Sequence, residues 1–401
     1  MTIKIGILRE QKSPPDKRVA FTPEQCKIIN TEYKNDVLIV AQPSAIRCYT
    51  DAEYIACDIT LQEDLSDCDV LMGIKEVPKT ALIANKKYFF FSHTIKAQVH
   101  NKSLIQALIA KKIEMVDYET LVDENMFRVI GFGHYAGIVG AYNGLRGYGL
   151  KYKMFDLKPA NLCYDRTELH RELEKVKLSN IKIIVTGNGR VANGAIEILG
   201  ILGIRRVTAY EFTHNTYREA VYTQLHSADY NEAKNGAEWN TSKFFKDPTE
   251  YNSTFNKYTK YCDLLMHCSF WDPRAPRLFT KEEMNNRDFK ISVIADITCD
   301  IDGSIPSTQR PTTINTPFFG YNPSTQHEDE AFAPHTITVM AVDNLPCELP
   351  RDASENFGKE LIERVLPAII NDTDNLLERA SITKHGALMP RFEYLHDYAF
   401  N

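Results

Sequence analysis

Short apolar runs alternate with stretches of helical periodicity through the first third of the chain. Ile3–Leu8 predicts a strand that ends at a polar turn around Ser13, Pro14, Pro15 and Asp16. Val37–Val40, Val70–Ile74, Tyr88–Phe91 and Ile113–Val116 predict four more strands. Between them, Thr22-Pro23-Glu24 opens a helix, with a capping hydroxyl, a proline at the first helical position and an acid in the first turn. Asp51 starts a second helix, and Asn101–Lys111 carries a third. Strands alternating with helices in this way imply βαβ units and a mostly parallel sheet.

The pattern then changes. From about Tyr135 to Lys151 a long helix is predicted in which Ala136, Gly137, Gly140, Ala141 and Gly144 would let another backbone approach closely. A polar stretch follows, with a charged helix near Arg166–Val176, before a second α/β unit begins at Ile181–Thr186. Strands return at Leu264–His267, Val293–Ala295 and Ile337–Ala341, and Asp352–Arg379 reads as an amphipathic helix. Residues 214–260, rich in Tyr, Asn, Thr and charge, read as an insertion of weak periodicity. The expected fold class is α/β, with two Rossmann-like doubly wound domains, mostly parallel sheets and a cleft between them.

Composition narrows the function classes. Of 401 residues 43% are hydrophobic and 25% charged, the balance of a soluble globular protein with a large core. A net charge of −6 gives no basic surplus for nucleic acid or an anionic membrane. The nine cysteines are scattered without a C-x-x-C pair, which argues against a disulfide framework and a structural zinc site, and no metal is expected. The apolar stretch at the N-terminus is too short for a signal peptide, and Val129–Tyr142, interrupted by His134, is too short to span a bilayer. The expected location is cytoplasmic, as a monomer or homo-oligomer acting on a small molecule. No G-x-S-x-G or Walker A motif is present.

The strongest chemical signal is the run from Ile183 to Leu199, which fits G-x-G-x-x-A between a strand and a helix. Gly187 permits the tight turn, Gly189 lets the backbone approach a pyrophosphate, and the helix N-terminus, starting at Arg190, offers free N–H groups. The next predicted strand, Arg206–Tyr210, ends at Glu211, whose carboxylate would accept from an adenosine ribose and repel a 2′-phosphate. That reading favours NAD as the cofactor; the bland alternative is a structural glycine turn.

A second signal comes from polar residues at predicted strand ends: Lys75 and Glu76, His93, and Asp117 with Glu119. Ligands of parallel sheets bind beyond the carboxyl ends of the strands, so these groups converge on one crevice. Lys75 and His93 suit proton transfer, while Arg18 and Arg128 suit a carboxylate or, equally, a salt bridge. His327 and its acidic neighbours read as a solvated loop.

At these residues the sequence resembles a known family. Gly6–Glu10 followed by Lys17–Pro23, Gly73–Pro78 and Phe91–Lys96 are similar to segments shared by alanine dehydrogenase, the transhydrogenase alpha subunit and lysine-forming saccharopine dehydrogenase. Gly131–Ala141, Ala295–Ile305 and Asp343–Glu355 resemble the saccharopine branch. The resemblance implies NAD-dependent oxidative cleavage of saccharopine to lysine and 2-oxoglutarate through an imine. It implies Lys75 and His93 as acid/base groups, with Glu76 and Glu119 adjusting the charge around them. Arg18, Lys96, Arg128 and Tyr135 would contact substrate, and Gly187, Gly189, Arg190, Val191, Glu211, Asp296 and Asp343 the dinucleotide. It also implies a discontinuous catalytic domain, 1–134 plus 345–401, around a nucleotide domain at 135–344. The glycine turn departs from the branch in having Ala192 where a glycine is usual. Another amino-acid or opine dehydrogenase, and a non-catalytic nucleotide-binding protein, remain alternatives.

Overall fold

A computed structural model describes residues 2–401 and divides the chain into two compact units, Met1–Phe132 with Pro350–Asn401, and Gly133–Leu349. In chain order the strands are β1 (Ile3–Ile7), β2 (Val37–Ala41), β3 (Val70–Met72), β4 (Lys87–Phe90), β5 (Glu114–Asp117), β6 (Lys182–Thr186), β7 (Arg205–Arg206), β8 (Val221–Leu225), β9 (Asn231–Ala233) and β10 (Tyr251–Ser253). They continue as β11 (Leu264–His267), β12 (Val293–Asp296), β13 (Phe318–Asn322), β14 (His327–Asp329), β15 (Ile337–Met340), β16 (Ser381–Lys384) and β17 (Ala387–Leu388).

In the first unit the sheet order is β17-β16-β5-β4-β3-β1-β2. Strands β1 to β5 run parallel, and β16 closes the β5 edge antiparallel. The run Tyr88-Phe89-Phe90 shows why these strands read as continuous apolar sequence. Phe89 packs with Ile5, Val116 and Phe357 on one face, whereas Tyr88 and Phe90 pack with Leu104 and Leu108 on the other. Helix α1 (Pro23–Glu32) starts as expected: Thr22 Oγ1 accepts from Gln25 N–H, and the Gln25 side-chain oxygen accepts from Thr22 N–H. The chain crosses from β1 to β2 on one side and then to β3 on the other, which puts a topological switch point between β1 and β3.

In the second unit the sheet order is β14-β13-β15-β12-β11-β6-β8-β7, with a small β9–β10 ribbon beside it. Strands β6, β7, β8, β11, β12 and β15 are parallel to their neighbours in that group, and β13 and β14 add an antiparallel edge. The long Gly-rich helix is α2 (Gly133–Tyr152), and the helix after the glycine turn is α3 (Arg190–Ile201). Their axes come together through the small residues that the sequence pointed to. A Cβ on Gly137 would lie 1.9 Å from the Val191 carbonyl oxygen, and one on Gly194 would lie 2.0 Å from that of His134.

Two expectations are corrected. Asp352–Arg379 is three helices, Pro350–Arg364, Leu366–Ile370 and Leu376–Ala380. Pro367 sits in the first turn of the second, where its missing N–H and its ring forbid a continuous helix. The expected strand Arg206–Tyr210 is only two residues long and gives way to the helix Ala209–His214. The strand beside β6 is instead β8, from within the segment that read as an insertion.

At the end of this unit Glu348 is 2% exposed and accepts a hydrogen bond from Asn143 Nδ2 at 2.9 Å. Burial pushes its carboxyl up from the usual 4.5 to about 8, against the opposing pull of Asn143 and Arg146. Folding therefore takes up a proton. The stabilising contribution is complete below about 4.5 and is lost as pH rises through about 8. Glu348→Gln keeps an acceptor and has no proton to lose, so its melting temperature should exceed wild type above about pH 8 and vary less with pH. Equal pH slopes for the two proteins would contradict this.

Candidate active site

The carboxyl ends of β1, β3, β4 and β5 carry one connected polar cluster, centred on the switch point of the first unit. Glu10, beyond β1, is 8% exposed and holds the loop after β3: its two oxygens accept from Ile74 N–H at 2.6 Å and Lys75 N–H at 2.9 Å. Burial pushes its carboxyl up to about 7, despite those backbone donors. The Lys75 backbone is thus fixed by a residue that lies outside its own strand.

Glu76 is the hub of the cluster. One oxygen lies 2.6 Å from His93 Nδ1 and the other accepts from Lys12 Nζ at 2.6 Å. Burial works against ionisation here, but the hydrogen bonds with His93 and Lys12 outweigh it and bring the carboxyl down to about 2. His93 itself stands at φ 55°, a left-handed conformation that a residue with a side chain adopts at a cost. Its ring stacks on Phe91 with centroids 6.5 Å apart. Strained backbone, ring stacking and the Glu76 bond together aim this imidazole.

Next to it, Asp117 at the end of β5 is fully buried and ties two loops together. Its oxygens accept from Ser92 N–H and Oγ–H at 2.8 and 2.5 Å and from Glu119 N–H at 2.7 Å. Burial raises its carboxyl to about 6 despite those bonds. Glu119 places one oxygen 3.6 Å from an Arg128 guanidinium nitrogen. Its other oxygen, Oε2, is buried and accepts no hydrogen bond among the described residues. A buried acceptor in that state costs about 1–3 kcal/mol, which an N–H donor on a ligand would remove.

Arg18 is 3% exposed, paired through Nε and a terminal nitrogen with Asp16 at 3.0 and 2.6 Å, and lies 4.1 Å over the Phe132 ring. Its guanidinium is therefore set by a buried ion pair, the alternative that spacing left open. Lys96 lies exposed on the short 3₁₀ turn Thr94–Lys96 that follows His93. Tyr135 is buried in α2 of the second unit, with its ring edge-on to His134. Glu10, Lys12 and Asp16 escaped the sequence reading as site residues, although all three are acids or bases within the same loops.

In the second unit Gly187 turns at φ 87°, and its N–H donates to the Leu225 carbonyl of β8. Gly189 caps α3 without a side-chain acceptor, and a Cβ placed on it would meet nothing within 4 Å. Open space beside the uncapped N-terminus of α3 could hold the pyrophosphate of a dinucleotide. Two of the expected cofactor residues are already engaged in hydrogen bonds within the chain. Glu211 is exposed in the first turn of Ala209–His214, where its carboxylate accepts from Thr208 N–H and Oγ–H at 2.9 and 2.8 Å as a capping box. One strand, β8, separates the preceding strand β7 from β6. Asp296 is 1% exposed, and the hydroxyls of Thr298 and Thr308 donate to its oxygens at 2.7 and 2.6 Å. Asp343 is exposed in the loop after β15. Glu211→Gln should accordingly leave the KM for the dinucleotide within about twofold of wild type, measured by initial rates; a tenfold rise would restore a ribose contact.

Among the described residues no helix is long and apolar enough to cross a membrane, and no group of three or more His, Cys, Asp or Glu could hold a metal.

Residues 6–139 match the family described as alanine dehydrogenase/PNT, N-terminal domain, and residues 172–391 match its C-terminal domain. The chain is 28% identical to the alpha-aminoadipic semialdehyde synthase of Arabidopsis thaliana over 98% of its own length and 41% of that protein. It is 27% identical to the mitochondrial enzyme of that name from Rattus norvegicus, covering 98% of this chain and 47% of the relative. The chain thus spans less than half the length of these relatives. It is 23% identical to the saccharopine dehydrogenase [NAD(+), L-lysine-forming] of Yarrowia lipolytica over 93% of this chain and 94% of that one. Among solved structures an L-alanine dehydrogenase superposes with a TM-score of 0.65 at 16% identity, covering 99% of this chain and all of that one, a likeness of fold.

Proposed function

We propose that this chain, which belongs to the alanine dehydrogenase/PNT family of NAD(P)-dependent dehydrogenases, is an NAD-dependent saccharopine dehydrogenase of the lysine-forming type. The observation that carries the reading is the Lys12–Glu76–His93 chain beside Lys75, at the switch point of the first unit. The relatives with saccharopine and aminoadipate chemistry in their names add to it.

The dinucleotide, held at Gly187, Gly189, Arg190 and Val191, would supply acceptance of hydride from the carbon of the secondary amine. The chain's own groups manage the protons. With Nδ1 engaged by Glu76, the Nε2 atom of His93 is the nitrogen for proton exchange with substrate. Lys75 serves the complementary transfer, its backbone fixed by Glu10. Between them the two groups take the amine proton, activate water toward the imine carbon and return a proton to the lysine nitrogen as the carbinolamine breaks down. The buried Oε2 of Glu119 accepts from the substrate's N–H. Arg18, oriented by Asp16, with Lys96 and Arg128, provides positive charge for the substrate's carboxylates. Tyr135 and Asp343 are proposed contacts to substrate and nicotinamide, respectively.

The test is loss of reduced-nicotinamide absorbance with lysine plus 2-oxoglutarate, run beside pyruvate plus ammonia, each with NADH and NADPH. Turnover with the lysine pair alone supports the proposal. Turnover with pyruvate and ammonia alone moves the chain to an alanine dehydrogenase activity.

A further inference from the structure

A cleft in the second unit lies at the opposite end of the sheet from the glycine turn. Strands β6, β11, β12 and β15 run parallel, so the turn after β6 marks their carboxyl ends, whereas the cleft sits at the amino ends of β12 and β15. Its volume of about 370 Å³ is within the range of small-molecule sites. Lys151 and Tyr152 enter it from the last turn of α2, and the segments leading into β12 and β15 supply most of the wall. Phe289 and Phe332 form its apolar faces. Phe289 stands edge-on to Phe279 with centroids 5.2 Å apart, and Phe332 packs against Phe318 at 5.6 Å. Both rings are thus fixed by neighbours within the same unit.

Charge in this cleft is one-sided. Among the described residues that line it there is no Asp or Glu, although the chain as a whole carries a net −6. Lys151 is half-buried, and its Nζ donates to the carbonyls of Ala333 at 3.1 Å and Thr336 at 2.8 Å. An ammonium has three N–H groups, and the third of Lys151 meets no acceptor among the described residues. Burial lowers this amine to about 8, and no charged neighbour acts against it. Lys290 lines the same cleft, exposed and without an ion pair among the described residues; Asp263, which feels its charge, lies beyond ion-pair distance. His335, also in the lining, is engaged by Asp329 at 3.0 Å.

We propose that this cleft binds a small carboxylic-acid anion with an aromatic or branched apolar body. The carboxylate accepts the third N–H of Lys151 in a charge-assisted hydrogen bond, Lys290 adds positive charge, and the body lies against Phe289 and Phe332. One spare N–H between apolar walls suits a single carboxylate; a phosphate or a dicarboxylate would leave further acceptors without donors. The site is separate from the dinucleotide turn and stands whether or not the dehydrogenase reading holds.

Phenylacetate is the probe. Titration calorimetry on the full chain should show saturable binding with a Kd of about 1 mM or below. Phenylacetamide and inorganic phosphate should each bind about tenfold more weakly or worse. Lys151→Met should weaken phenylacetate binding by about tenfold or more, and Lys290→Ala by about two- to fivefold, with thermal melts showing that both variants fold. In the wild-type chain phenylacetate should also protect Lys151 from acetylation by acetic anhydride, read by peptide mass spectrometry, so the test does not depend on a variant. No saturable binding, or no protection of Lys151, overturns the site. Undiminished binding by Lys151→Met places phenylacetate elsewhere on the chain and overturns it too. Phenylacetamide binding as tightly as phenylacetate overturns the carboxylate contact, and phosphate binding as tightly overturns the apolar body. Self-association of the chain that excludes phenylacetate assigns the cleft to a second copy and defeats the proposal.

Discussion

Lys75→Met and His93→Gln should each lower turnover of saccharopine by about 10²- to 10⁴-fold, the range for losing a positioned acid or base. Lys75 and His93 lie beyond neighbouring strands β3 and β4, both at the loops that Glu10 and Glu76 tie down. The double variant should fall little below the worse single one, because groups that move one substrate's protons in sequence act as a unit. Neither side chain belongs to the hydrophobic core of its unit, so the melting temperatures should stay close to wild type. Steady-state rates with saccharopine and NAD, read against thermal melts of the same preparations, provide the measurement. Wild-type turnover in either variant would remove that residue from the chemistry.

Gly194→Val should prevent the second unit from folding, and Gly194→Ala should cost about 3 kcal/mol or more, at or beyond the upper range for overpacking. The reason is that the obstacle is backbone. A Cβ at this position would sit 2.0 Å from the His134 carbonyl oxygen and 2.9 Å from Ile138 N, atoms that cannot rotate aside. Relief would require α2 and α3 to separate along their shared length, undoing the matching approach at Gly137. Gly200, on the same helix with nothing within 4 Å, is the control: Gly200→Ala should stabilise by up to about 1 kcal/mol through helix propensity. Denaturant titration of the three variants decides it. A Gly194→Ala protein as stable as wild type would mean that the helices slide apart without cost.

The positions that the sequence disclosed share a physical cause: local patterns with few solutions. The glycine turn at Gly187–Gly189, the small-residue stripe of α2 and the polar ends of β3 to β5 are each readable within a few residues. What stayed hidden depends on partners far along the chain. Lys12 meets Glu76 across 64 positions, and Glu10 reaches Lys75 across 65, so neither pairing leaves a local trace. The misread strand is different, since its correct signal was present. Arg206–Tyr210 has β-forming residues, but Thr208 followed three positions later by Glu211 is a helix-opening pair, and the helix won. The polar, aromatic stretch after it then concealed β8, a strand with only five residues to announce it. Asp296 illustrates the same limit: its motif is local, but the Thr308 hydroxyl that donates to it lies 12 positions along the chain.

The strand β16, which borders β5, has a consequence for synthesis on the ribosome. Residues 1–132 emerge first, with β5 still lacking the neighbour that covers its outer edge. Roughly 220 residues of the second unit must be made before the tail arrives, which at about 5–20 residues per second is ten seconds to most of a minute. Through that interval the nascent first unit offers unpaired N–H and C=O groups along β5 to any passing strand. A cell making this protein in quantity would therefore place its demand for chaperones early in translation, and a ribosome stalled inside the second unit would release a product prone to aggregate.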